Sequence, residues 1–492
     1  MIIIGAYPLS FSCERDTQSP IQQLDAMLEI IVPRGMTLHL LPFYPSDGDG
    51  GFAPSHWFSV EPTFGSLTDI TAIARRHPLF VDGIYNHVGI SHEWCRQFFS
   101  GEGGADRLCI LPDSAPLPSA MSPRGFPVVR EHLVGGLPKL VWQTFSPLSV
   151  DLNLDNRAVN EEILRHLDFL KRVGVQGIRL DAPAYYGKPI NAPQRHSADS
   201  IRIFRRISNM CHKRGFEVVA QLNCDDKGLS YISGPFVPLL QDYSLPALIA
   251  LAIVDADVAE LVRHLKTTWW QERVIRPLRT HDGILLKTGA SDDQRLVSTA
   301  RRFRRYGISP RQIKGVDYEL NDSFPHICSI GATRQQSEDA IVLALTLLML
   351  IPGSPYLYLP ALCGWQPEAK VPTVSRAGSQ DPRLVNRIPI DSAHVESIKK
   401  NGFLERVYSN LAKFHSIRTT YGFDRPHELD SICMLAEGVL AIGRQSRFVA
   451  VLNFRRDRAW QGFSPFYCPE GSRRSVVVSP RSALFWDLSG PY

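Results

Sequence analysis

Short apolar runs alternate along the chain with stretches in which apolar residues recur every three or four positions. The runs read as buried strands and the periodic stretches as amphipathic helices. Eight runs qualify as strands: 2–8 (IIIGAYP), 37–43 (TLHLLPF), 79–86 (LFVDGIYN), 177–182 (GIRLDA), 216–223 (FEVVAQLN), 236–244 (FVPLLQDYS), 274–282 (VIRPLRTHD) and 354–360 (SPYLYLP). Ahead of the fourth, Val159, Ile163, Leu164, Leu167 and Leu170 form one helical stripe, and Gly174 just beyond is a stop signal. Strand–helix alternation repeated eight times predicts an α/β fold whose parallel sheet closes into a (β/α)8 TIM barrel.

Two intervals are too long for simple connections. Residues 88–147, rich in Gly, Pro and Ser, follow the third strand, and residues 284–336, rich in Arg and polar groups, follow the seventh. Loops of that length in a compact domain are usually functional, so both are expected to be inserted subdomains over the barrel mouth. The barrel then comprises 1–87, 148–283 and 337–415. From 416 to 492 the runs GVLAIGR, FVAVLNF and SVVVSP suggest a small all-β C-terminal domain.

Composition narrows the class. The chain has 492 residues, 44% hydrophobic and 21% charged, with a net charge of +5 and no long Lys/Arg block. That profile is of a globular protein and argues against nucleic acid as a partner. Nine scattered cysteines without CxxC spacing argue against a disulfide framework or a zinc site and favour a reducing compartment. MIIIGAYPLSF lacks a basic n-region, and the longest apolar run, 341–351, is too short to span a bilayer. A cytoplasmic enzyme without a membrane partner, monomeric or homodimeric, is expected.

Active-site groups of such barrels sit at the C-terminal ends of strands. Here those ends carry Asp82, Asn86 and His87 on the third strand, Arg179 and Asp181 on the fourth, Gln221 and Asn223 on the fifth, and His281 and Asp282 on the seventh. Arg179 and Asp181 are two apart, so they share a face of the strand. Inside the barrel the cation would hold the carboxylate ionised, as a nucleophile toward a sugar carbon must be. On spacing alone, a buried Arg–Asp pair that stabilises the barrel accounts for the same residues. Burying so many polar groups together is costly without a function.

The ordered motifs LLPFYPSDGDGGFAP, VDGIYNH, GIRLDA, THDGI and VNRIPID resemble glycoside hydrolase family 13, and within it the sucrose phosphorylase branch acting on α-glucosides. The resemblance covers the chain to about residue 415. It implies that Asp181 is the nucleophile forming a β-glucosyl-enzyme and that Arg179 orients it. It implies that Asp282 stabilises the oxocarbenium-like transition state, with His281 beside it at the same sugar. Asp49, His87 and Arg387 match residues that grip the nonreducing glucose, where carboxylates and Arg suit vicinal hydroxyls. Phe52 and Tyr85 are candidates for an apolar platform under the ring, or for ordinary core aromatics. The branch works without a metal, although Asp82 and Asn86 stand where amylases help to bind calcium, and no cofactor is implied.

One position departs. Forty residues after the nucleophile the family carries a Glu that protonates the leaving oxygen and later deprotonates the acceptor, and here stands Gln221. An amide does neither. Glu217 lies about 13 Å away along the strand, while Asp225 and Asp226 are in the following loop. Asn223 replaces a His common in the family. Three readings stay open: a Glu→Gln substitution that traps a complex, a native enzyme whose donor (such as glucose 1-phosphate) needs no acid, or a non-catalytic sugar-binding relative. On the acceptor side, Tyr318 and Glu319 stand in KGVDYELND, where the sucrose enzymes carry Gln at the second position. This favours a glycerol- or glycerate-type polyol as acceptor. Arg124 in SPRGFPVV is a candidate phosphate ligand. The implied partners are an α-glucoside or glucose 1-phosphate, with phosphate or a polyol as acceptor.

Overall fold

The computed structural model describes residues 1–11, 18–112, 115–118, 122–123, 126–190, 195–222, 231, 237–286, 293–308, 311–313, 316–363, 382–387, 390, 392–463 and 475–488. Eight parallel strands close into a barrel in sequence order. They are β1 (Ile3–Ala6), β2 (Thr37–Leu40), β3 (Leu79–Gly83), β4 (Val175–Leu180), β5 (Glu217–Ala220), β6 (Leu239–Gln241), β7 (Val274–Pro277) and β8 (Ser354–Tyr358). All eight coincide with the runs read from the sequence; seven are shorter, and the fourth keeps six residues but begins and ends two residues earlier. Closure is made by β8 against β1, with Ile3 opposite Tyr356.

The strands are buried on both faces, which is why they read as continuous apolar runs and not as alternating ones. Helices cover the outside. The stripe beginning at Val159 lies on a helix spanning Arg157–Val173, capped by the Asn156 side chain and ended by Gly174 at a left-handed φ of 99°. Inside the barrel, Gly5 of β1 makes room for a large side chain: a Cβ there would lie 2.1 Å from the Tyr356 hydroxyl. Tyr356 thereby reaches His39 across the barrel, its hydroxyl 3.0 Å from Nδ1.

Between β3 and β4 two small antiparallel sheets form, one pairing His87–Gly89 with Ser149–Asp151, the other joining Ile110–Leu111, Val129–Val134 and Leu137–Trp142. After β7, Ile284–Leu285 pairs with Val316–Leu320, which pairs with Arg311–Ile313. A helix spans Phe403–Tyr421, across the point at which the sequence pattern changes. The C-terminal strands begin at Ser431 and build a four-stranded antiparallel sheet, with a separate pair formed by Trp460–Phe463 and Ser475–Val478. Arg444 fixes that sheet to the barrel: it donates to the carbonyls of Leu350 and Phe423 at 2.6 and 3.1 Å.

Candidate active site

At the C-terminal end of β4, Arg179 still belongs to the strand and Asp181 follows it. Register places Asp82 of β3 directly opposite Arg179. The guanidinium Nη1 pairs most closely with Asp82, lies 3.2 Å from Asp181 Oδ1, and its Nη2 stands 4.0 Å from Asp282. Asp82 is further held by His39 Nε2 at 3.1 Å. One cation is thus divided among three carboxylates, which changes the electrostatics from those expected of a simple Arg–Asp pair. Burial raises Asp181; Arg179 opposes it, and Asp82 and Asp282 add repulsion, so its carboxyl titrates at about 7.

Asp282 behaves oppositely. Burial pushes it up, yet His281, Arg383, Arg387 and Arg179 together hold it well below the usual carboxylate range. Arg383 Nη1 sits 3.2 Å from Asp282 Oδ1 while its Nη2 pairs with Asp49, so one guanidinium ties the two carboxylates together. Arg387 lies 3.8 Å from Asp282 and donates to the carbonyls of His281 and Asp49. His281 is 3.4 Å from Asp282, and burial lowers it to about 3, so its ring is neutral. Its plane stacks on Phe52, with centroids 4.9 Å apart. His87 donates from Nε2 to the Phe52 carbonyl at 2.6 Å, and burial keeps it neutral too.

Most of these groups line one cavity of about 130 Å³, close to the ~150 Å³ that holds a single six-membered ring in a core; Asp82 and Arg387, the latter expected to grip the glucose, do not line it. Asp49, Phe52, His87, Arg179, Asp181, Gln221, His281, Asp282 and Glu319 all face it. Gln221 stands just beyond β5, and its Oε1 accepts from the Ala182 amide at 2.9 Å. Glu217, at the other end of β5, pairs with Arg273. Of the two readings of Tyr85 the core aromatic holds and the platform does not: its hydroxyl bonds His166 of the helix layer at 3.0 Å and its ring packs on Trp57. Arg124, Asn223, Asp225 and Asp226 lie outside the described residues, as does the side chain of Tyr318. Sequence reasoning missed Arg383, Arg279, His39, Phe145 and Tyr356, which also line the cavity.

The positions considered for calcium carry protein cations. Asp82 holds Arg179. Asn86 Oδ1 accepts from Lys188 Nζ at 2.8 Å, and the same ammonium stands 2.7 Å from Asp151. Among the described residues no group of three or more His, Cys, Asp or Glu side chains is arranged to hold a metal. The six described cysteines are all free thiols. No described helix is long and apolar enough to cross a membrane.

The chain is similar to known proteins over most of its length. Residues 18–225 match the family model of the alpha amylase catalytic domain. Glucosylglycerate phosphorylase of Spirochaeta thermophila is 26% identical over 454 residues, covering 88% of this chain and 76% of that protein. Sucrose phosphorylase of Agrobacterium vitis is 25% identical over 409 residues, with coverage of 78% and 82%. Among solved structures, sucrose 6F-phosphate phosphorylase from Thermoanaerobacter thermosaccharolyticum superposes with a TM-score of 0.78 over 97% of this chain and 98% of that one, at 20% identity.

Proposed function

The chain belongs to the α-amylase family, glycoside hydrolase family 13, in its sucrose and glucosylglycerate phosphorylase branch, and from that premise we propose that it is a retaining α-glucoside phosphorylase or transglucosidase. The reaction proceeds through a β-glucosyl-enzyme on Asp181. One observation carries this reading: the buried Asp181 and the half-buried Asp282, two carboxylates held in opposite protonation regimes, face a single ring-sized cavity. Environments that push paired carboxylates apart are the mark of divided catalytic roles.

In the forward half, the Asp181 carboxylate attacks the anomeric carbon from below and the α-linked group departs. Ionised Asp282 stabilises the positive charge that develops on the ring, and Asp49 with Arg383 holds the hydroxyls, while Arg387 supports Asp282 and the Asp49 and His281 backbone from behind. In the second half, an acceptor attacks the same carbon from above and Asp181 leaves, so the α configuration is retained. Phosphate suits Gln221, because it attacks without a base and leaves without an acid. The partner half, with a sugar or polyol oxygen, needs a proton donor that an amide does not supply. The proposed donor is an α-glucoside of a polyol, in keeping with relatives named for glucosylglycerate and glucosylglycerol. A purely sugar-binding protein gains nothing from a carboxylate poised at about 7 beside an arginine.

The test is direct. With α-glucosyl fluoride, intact mass spectrometry is expected to show one hexose on the protein, mapped to Asp181 and absent from Asp181→Asn. Added phosphate is expected to discharge it as α-glucose 1-phosphate. A bare mass under every donor overturns the reading.

A further inference from the structure

We propose that Glu319 is the proton shuttle of this active site, doing from the second inserted segment what residue 221 cannot do from β5. The proposal rests on the covalent transfer through Asp181 set out above. Among the described residues four carboxylates line the cavity: Asp49, Asp181, Asp282 and Glu319. Asp181 is the nucleophile, and Asp49 and Asp282 are bound to Arg383 at the sugar-gripping end. Glu319 alone among the four comes from outside the barrel.

Its placement is built. Glu319 is the Cα partner of Leu285 in the short ladder that begins directly after Asp282 and Gly283. Arg279, at the end of β7, staples the two segments. It donates from Nη1 to the Asp282 carbonyl, and from Nε and Nη2 to the Asp322 carbonyl at 3.3 and 3.0 Å. Asn321 Nδ2 donates to Glu319 Oε1 at 3.1 Å. The carboxylate lies over Gly283, so close that a Cβ there would be 2.8 Å from Oε2. It is 7% exposed, buried to the same degree as Gln221 on the same cavity. A catalytic group must be held by paired backbone and hydrogen bonds of this kind to be useful.

The chemistry balances. As the Asp181–C1 bond forms and the C1–oxygen bond breaks, the departing oxygen takes the electron pair and receives the proton of the Glu319 carboxyl. In the return step the Glu319 carboxylate accepts the proton of the incoming hydroxyl while its oxygen bonds C1 and Asp181 is released.

Leaving-group dependence tests it. Wild type, Glu319→Gln and Glu319→Ala are assayed with α-glucosyl fluoride, whose fluoride departs without an acid, and with an alkyl α-glucoside, whose alkoxide does not. For Glu319→Gln, kcat/KM is expected to fall about 100- to 10,000-fold on the alkyl glucoside and less than about tenfold on the fluoride. Azide, which attacks without a base, is expected to speed fluoride turnover by Glu319→Ala and to yield α-glucosyl azide. Fluoride turnover also certifies that the variants are folded. Equal losses on both donors, or no loss on the alkyl glucoside, overturn the role of Glu319 alone. A wild-type protein that takes no hexose from the fluoride overturns the covalent reading itself.

Discussion

The side-chain oxygen of Gln221 accepts a 2.9 Å hydrogen bond from the backbone amide of Ala182, the residue directly after the nucleophile. Ala182 takes a φ of 49°, in the left-handed region uncommon for a residue with a Cβ. The strand end carrying Asp181 is therefore pinned to the strand end carrying residue 221, and the pin uses the one atom that amide and carboxylate share. A glutamate at 221 can make the same bond and keep its second oxygen for proton transfer.

Gln221→Glu is accordingly expected to fold normally and to restore a proton donor at the strand end. In a Glu319→Gln background it should recover alkyl glucoside turnover by about 100-fold or more, measured by steady-state kinetics. It also adds a negative charge near Asp181, which raises that carboxyl further. The acid limb of kcat/KM should therefore move to higher pH in the same variant.

The unmodified chain already has an unusual acid limb. Asp181 reacts as the anion and titrates at about 7, so kcat/KM with glucosyl fluoride should fall tenfold per pH unit below about 7. Asp82→Asn removes one repelling charge and releases Arg179 toward Asp181, so the limb should move to lower pH. Stability follows the same shift. The folded carboxyl is raised above its ordinary 3.8, so its favourable contribution is present below about pH 4 and lost as pH rises through 7. Asp181→Asn should therefore leave stability near pH 4 almost unchanged and add about 2–4 kcal/mol at pH 8, read from urea titrations at the two pH values.

How far the sequence carried this reading depended on range. The eight strands were legible because a strand buried on both faces must be apolar throughout, and their polar terminal residues were legible because they interrupt that rule. Cross-strand partners were not. That Arg179 serves Asp82 first follows from the β3–β4 register, which local sequence does not encode. The choice left open for Tyr85 was settled by range too: the third strand ends at Gly83, and beyond it Tyr85 packs as a core aromatic against His166 and Trp57. Arg383 sits in a short helical turn without periodicity, and the approach of Glu319 to Gly283 is a matter of hairpin pairing over 36 residues.

Lys188 is expected to be a structural cation of the site. Its ammonium satisfies Asp151, which is fully buried, and Asn86 at the end of the third-strand motif. Asp151 also accepts from the Thr144 amide at 3.0 Å, so its charge is fixed in place and its carboxyl is held below the ordinary range. Removing one partner of a buried pair leaves an uncompensated charge, at a cost of about 3–5 kcal/mol. Lys188→Met should lower stability by that amount in chemical denaturation, and Asp151→Asn in the same chain should return part of it, because the orphaned charge is then gone.

The sharpest handle on the acceptor side is Gly283. Its φ is not left-handed, so alanine there meets no backbone strain, and the atoms that its Cβ would crowd are Glu319 Oε2 and Asn321 Oδ1, both at 2.8 Å. Each is the far end of a side chain that can swing aside, so the fold should lose no more than about 1–2 kcal/mol. The carboxylate, however, cannot remain where it is. Gly283→Ala should thus reduce turnover of alkyl α-glucosides by about 10- to 100-fold while altering glucosyl fluoride turnover little, since proton transfer contributes on the order of 100-fold or more and depends on reach. Were Glu319 only a packing residue, crowding it would disturb neighbouring Asp282 and depress both donors together. The ratio of the two rates, measured in one preparation, separates displaced proton transfer from a distorted sugar site.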